Sequence, residues 1–179
     1  MKFVPTRIPE VILIEPDYFP DDRGFFIQDY RKDIFAQNGI RVDFVQDNHA
    51  LSKKGALRGL HFQVSPKEQA KLVRVVRGEV FDVVVDIRPG SKTFGRHVSQ
   101  VLSAGNRSIL FVPAGFAHGY LTVSDEAEFL YKASDFYSPQ HERALRWDDP
   151  ELAIPWPKLD VPVILSEKDK KAPGLKDLK

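Results

Sequence analysis

The densest hydrophobic signal in the chain is KLVRVVRGEVFDVVVDIRPG, residues 71–90. Within it Phe81, Val83, Val85 and Ile87 fall on one side of a two-residue period, and Val80, Asp82, Val84, Asp86 and Arg88 on the other. Side chains alternate across an extended backbone, so this pattern predicts strand, with Arg77-Gly78 as the turn from a preceding strand. Shorter runs of the same kind occur at residues 11–15, 25–30, 42–46, 57–63, 98–102, 109–112, 118–123 and 128–134, separated by Gly, Pro, Asn, Asp or Ser. Only residues 31–38 read as helix, with Gly39 placed to end it. Many short strands and almost no helix predict an all-β sandwich or barrel. No repeat, low-complexity segment or linker divides the 179 residues, so a single domain over 1–179 is expected, with the Pro- and Lys-rich C-terminal end peripheral.

Charge removes some partners from consideration. The net charge is +1, from 26 basic and 25 acidic residues, so no global field draws the chain to nucleic acid or to a membrane surface, and any anion must be held by a local cluster. Without cysteine there is no disulfide, thiolate metal site or thiol nucleophile. The N-terminus lacks the apolar core of a signal peptide and no apolar stretch has the length of a membrane span, so a cytoplasmic location is expected.

The remaining chemistry is acid–base. A jelly roll can bind metal through an H-x-H pair followed by Glu, but here His61 and His118 are far apart and His49, His97 and His141 are isolated. No metal is expected. His61 shares its strand face with Gly59 and Gln63. Imidazole titrates near neutrality and can take a proton there, provided a carboxylate orients its other nitrogen. Asp82, Asp86 and Asp169 all qualify, and spacing does not choose among them. The plainer alternative is a hydrogen-bonded core histidine. Tyr131 is either strand packing or a proton donor, and Lys71 either a solvated strand end or a cation for a substrate oxyanion. Arg23 and Arg58 are either surface ion-pair partners or phosphate ligands.

Taken together, the motifs carry more than each does singly. Arg23-Gly24-Phe25-Phe26, Phe44-Val45-Gln46-Asp47-Asn48, Leu57-Arg58-Gly59-Leu60-His61-Phe62-Gln63 and Gln69-Ala70-Lys71-Leu72-Val73 are followed by the strand containing Asp82 and Asp86. Pro113-Ala114-Gly115-Phe116-Ala117-His118-Gly119, Tyr131-Lys132, Tyr137-Ser138-Pro139, Trp147-Asp148-Asp149-Pro150, Trp156-Pro157 and Leu165-Ser166-Glu167-Lys168-Asp169 complete the series. In this order the chain resembles the dTDP-4-dehydrorhamnose 3,5-epimerases over nearly its whole length.

The resemblance implies a cupin-like jelly roll, usually a homodimer whose arms reach the partner's site, acting on a dTDP-sugar without metal or cofactor. By the same resemblance His61 is the base, Asp169 its partner, Tyr131 the acid and Lys71 the group nearest the enolate oxygen. Arg23, Gln28, Gln46, Asp47, Asn48, Arg58, His118, Glu142 and Lys168 fall at substrate-contact positions, and Tyr137 where an aromatic ring stacks on thymine. Two positions depart from the family pattern: Gln28 stands where Glu is usual, and Arg143 where Gly is common. Gln28 keeps the shape but loses the charge. The same machinery would also suit an epimerase acting on one carbon only. A non-catalytic sugar-nucleotide-binding jelly roll is the further alternative.

Overall fold

The computed structural model describes residues 1–178. Thirteen strands occur in the order β1 (Lys2–Pro5), β2 (Ile12–Glu15), β3 (Tyr18–Asp21), β4 (Gly24–Ile27), then helix α1 (Lys32–Gln37), β5 (Gln46–Lys53), β6 (Leu57–Gln63), β7 (Lys71–Arg77), β8 (Glu79–Asp86), β9 (His97–Ser103), β10 (Ile109–Val112), β11 (Phe116–Thr122), β12 (Glu126–Ala133) and β13 (Glu142–Ala144). Short 3-10 turns follow at Asp169–Lys171 and Leu175–Asp177. A six-stranded sheet, β1-β2-β10-β7-β12-β5, lies against a five-stranded sheet, β13-β6-β11-β8-β9. Strands β3 and β4 form a separate two-stranded hairpin. This is the all-β sandwich that the strand pattern predicts, and the cupin-like jelly roll that the resemblance implies.

Between the sheets, Val73, Val75, Leu110, Val112 and Phe129 of one meet Val80, Val84, Val98, Leu102, Phe116 and Tyr120 of the other. Strand β8 is buried on both sides because both are covered: its Val83 and Val85 lie under Leu145 and Leu152 from the C-terminal region. On the far side of the six-stranded sheet, Leu72, Ile109 and Phe111 pack beneath Phe35 of α1 and Ile40. Trp156 also packs edge-on against Phe81, and Leu175 packs on the same cluster.

The expected strand at 42–46 is not formed. Residues 41–45 form no strand, although the Val45 N–H donates to the Ala133 carbonyl at 2.9 Å, and Val42 and Phe44 pack on the α1 cluster. The strand begins at Gln46 and runs through the polar sequence QDNHALSK. It is an edge strand whose alternate residues face solvent, so hydropathy does not reveal it. Strands β1, β3 and β13, at three or four residues each, also escape the pattern.

One glycine pair sets the geometry of the site. A Cβ on Gly59 would lie 2.6 Å from the Gly119 Cα, and one on Gly119 would lie 2.6 Å from the Arg58 carbonyl oxygen. Gly59 also has φ +132°, which side-chain-bearing residues avoid. Removing both side chains lets β6 and β11 approach closely enough to pair His61 with His118 across the ladder, next to an irregularity in register.

Candidate active site

A cavity of about 470 Å3 opens between the two sheets. His61 and Arg58 on β6 and His118 on β11 line the wall formed by the five-stranded sheet, and Lys71 on β7 and Tyr131 on β12 line the wall formed by the six-stranded sheet. Ile164, Leu165, Ser166 and Asp169 close one side.

Both histidines that line this cavity are paired with a carboxylate. His61 Nε2 lies 2.5 Å from Asp169 Oδ1. The carboxylate is buried, while the His61 side chain keeps 29% of its exposure, so the ring is open to a ligand and its partner is not. Burial pushes the Asp169 carboxyl up, but the hydrogen bond and charge of His61, with help from Ser166 and the Gly59 backbone, outweigh it and leave the group below its ordinary range. With Nε2 committed to Asp169, Nδ1 is the ring nitrogen left to accept a proton. The second pair is His118 Nε2 with Asp82, 3.0 and 2.9 Å from the two carboxylate oxygens, with Asp82 fully buried. Asp86, the third carboxylate considered for His61, is instead held by Arg88, Ser91 and Thr93. The choice left open by spacing is thus decided by contact.

Lys71 crosses between the walls: its ammonium donates to the His61 carbonyl oxygen at 3.5 Å. Burial pushes this ammonium down to about 8, and the charges of Asp82 and Glu142 oppose that shift. Burial raises the Tyr131 phenol, and the neighbouring Tyr120 and Glu142 raise it further against Arg58, so it is a protonated donor at neutral pH. Arg58 is braced by Nε donating to Ser52 Oγ at 2.9 Å and Nη2 to the Leu51 carbonyl at 3.2 Å. Ser52 in turn meets the Tyr120 hydroxyl at 3.1 Å. Among the described residues no three His, Asp or Glu side chains gather as metal ligands would.

A carboxylate-paired imidazole and a phenol on facing walls, with an ammonium between them, suit proton removal and return at a carbon acid. Comparison with known proteins agrees. The family model described as dTDP-4-dehydrorhamnose 3,5-epimerase matches residues 5–177. The chain belongs to the dTDP-4-dehydrorhamnose 3,5-epimerase family. It is 53% identical to the dTDP-4-dehydrorhamnose 3,5-epimerase of Pseudomonas aeruginosa, over 99% of this chain and 97% of that protein. The crystal structure of the Legionella pneumophila dTDP-6-deoxy-D-glucose-3,5-epimerase in complex with dTDP-4-keto-L-rhamnose superposes with a TM-score of 0.96 at 45% identity, covering 99% of this chain and 94% of that one. The Bacillus anthracis dTDP-4-dehydrorhamnose 3,5-epimerase, with TDP and PPi bound, gives 0.92 at 44% identity, covering 97% and 98%.

In this family member the remaining expected site residues divide into three groups. A rim cluster joins Tyr137, Glu142 and Lys168: the Tyr137 hydroxyl donates to Glu142 Oε2 at 2.6 Å, and the Lys168 ammonium pairs with the same oxygen. Gln46 belongs to this rim, because its Oε1 accepts the Tyr137 backbone N–H at 2.9 Å and its Nε2 donates to Asn48 Oδ1 at 3.0 Å. Asp47 and Asn48 line a second cavity of about 240 Å3, where Asp47 pairs with Lys132. Arg23 and Gln28 line neither cavity. Arg23 is 89% exposed near the turn of the β3–β4 hairpin and bonded to Asp21, while Gln28 follows that hairpin. Arg143, the other departure, turns away to the backbone carbonyls of Gln140 and Glu142. Ser52 and Tyr120 lie outside the motifs, and Asp82 and His118 lie within them although nothing in the sequence joins the two to each other.

Proposed function

We propose that this protein inverts C3 and C5 of dTDP-4-dehydro-6-deoxy-D-glucose to give dTDP-4-dehydro-L-rhamnose, with His61 as base and Tyr131 as acid. The single observation carrying this reading is the placement of His61–Asp169 and Tyr131 on facing walls of one cavity, in a chain of this family. A ketone at C4 acidifies the hydrogens at C3 and C5, because the carbanion delocalises onto the oxygen. His61 Nδ1 takes the proton and becomes imidazolium against Asp169. The Lys71 ammonium meets the negative charge developing on the oxygen. Tyr131 then gives its proton to the opposite face, and solvent restores both groups before the next inversion. Arg58 and the Tyr137–Glu142–Lys168 rim hold the nucleotide, so that remote binding energy positions the sugar.

The reading includes a homodimer in which the β3–β4 hairpin of each subunit reaches the partner's cavity. Its support is that Phe19, Phe25 and Phe26 are each more than half exposed on the hairpin that also carries Arg23, outside both cavities of its own chain. No helix of the described residues is long and apolar enough to cross a membrane.

Proton NMR of the substrate with the protein in deuterated water tests the reaction. Deuterium entering at both carbons is expected. Deuterium at one carbon places the protein among single-carbon epimerases, and no exchange with retained binding makes it a sugar-nucleotide-binding jelly roll.

A further inference from the structure

The proposed reaction uses Asp169 through His61 but leaves unexplained the other carboxylate buried beside the cavity. Asp82 lies on β8 on the inner side of the sandwich, fully buried. A buried carboxylate is costly unless it is paired and hydrogen-bonded. Both its oxygens are within 3.0 Å of His118 Nε2, and its charge also acts on Lys71. His118 and Lys71 come from opposite sheets, and both line the larger cavity. Asp82 is thus the one anion shared by two groups that a substrate oxygen would meet.

We propose that Asp82 is the positioning residue for the oxyanion end of the site, fixing the His118 ring and holding the positive charge that faces the substrate's C4 oxygen. The proposal rests on the reaction assigned above and deepens it. With Nε2 given to Asp82, the His118 ring cannot rotate without losing a charge-assisted hydrogen bond, and Nδ1 is its only nitrogen left for a ligand. Lys71 faces several groups at once: Glu142 from β13, His61 and Arg58 from β6, His118 and Tyr120 from β11, and Tyr131 from β12. Asp169 lies beyond His61 and is committed to it. Of the carboxylates, Asp82 is the first to oppose the effect of burial on Lys71, ahead of Glu142. Glu142 is further neutralised by its own pairing with Lys168.

The arrangement also assigns the two carboxylates different tasks. Asp169 sits behind the group that receives a proton, and Asp82 sits behind groups that must stay in place while the oxygen gains charge. Two histidines opposite each other in one ladder are thereby kept in separate roles by the carboxylate each one meets.

The test is the pH profile of kcat/KM for the epimerisation in wild type, Asp82→Asn and Lys71→Met. Wild type is expected to lose activity as pH rises through about 8, as Lys71 becomes neutral. Lys71→Met should remove this alkaline limb. Asp82→Asn keeps the shape but removes the charge, so kcat should fall ~100-fold and the limb should move to lower pH by ~1 unit. A merely structural role would lower activity without moving the limb. His118→Gln is the second variant, needed if Asp82→Asn does not fold. There the carboxylate remains, so kcat should fall while the limb stays at or above its wild-type position, and movement to lower pH would overturn the proposal. A limb present in wild type and unmoved in Asp82→Asn overturns the role of Asp82 and leaves the reaction intact. A limb that survives in Lys71→Met overturns the Lys71 assignment and this proposal with it.

Discussion

Replacing Asp169 by Asn isolates what a charge contributes behind the proposed base. The carboxylate oxygen is 2.5 Å from His61 Nε2, and its side chain is only 3% exposed, so water does not screen the pair strongly. The amide keeps an acceptor for Nε2–H but has no charge to stabilise the imidazolium that forms when the proton is taken. A hydrogen bond to a charged group is worth ~1.5–3 kcal/mol, and each ~1.4 kcal/mol is tenfold in rate, so kcat should fall ~10- to 150-fold. The assay is the initial rate of deuterium entry at C3 and C5, measured in the wild-type and His61→Ala backgrounds. In His61→Ala the same change should cost almost nothing, because there is no imidazolium left to stabilise. A wild-type rate for Asp169→Asn, or an equal loss in both backgrounds, would refute the dyad. Stability supplies a check on sign. The folded Asp169 carboxyl titrates below its ordinary value of 3.8, so its charge stabilises the fold above that value. That contribution disappears as pH falls through the folded value, and Asp169→Asn should lack this part of the acid-unfolding slope.

Two further outcomes follow from the same geometry. Tyr131→Phe leaves the base in place and removes the proton on the facing wall, so deuterium exchange should continue while inverted product falls ~100-fold or more, measured by NMR of exchange and product together; equal loss of both would contradict the acid role. If the hairpin serves the partner's cavity, mixing inactive Arg23→Ala and His61→Ala proteins, with unfolding and refolding to exchange subunits, should recover activity, because one site of each mixed dimer then carries both native residues. Recovery no greater than the sum of the parents would refute the crossed-arm dimer.

The buried strands were legible because their neighbours on both sides are apolar. Strand β8 reads correctly as alternating, and its two faces are sorted in the fold as the period predicts. Strand β5 was missed for the opposite reason: its outward residues Asp47, His49, Leu51 and Lys53 are exposed at a sheet edge, so no hydrophobic face marks it. The hairpin is half legible, since its second strand carries Phe25 and Phe26 while its first, of equal length, is interrupted by Pro20.

For the site, the sequence by itself determined the chemical inventory and the family. The order of motifs from Arg23 to Asp169 is a property of the chain, independent of how it packs. Which carboxylate serves which histidine was a tertiary decision. Spacing does not distinguish Asp82, Asp86 and Asp169, and only the family resemblance singles out Asp169, yet in the fold one meets His118, one meets Arg88 and one meets His61 from 108 positions away. A hydrogen bond depends on distance in space, and residue types and local periodicity do not encode separations across a closed sandwich. The placement of Lys71 and Tyr131 opposite His61 follows from the same cause, because only the facing of two sheets turns separate strand positions into the walls of one cavity.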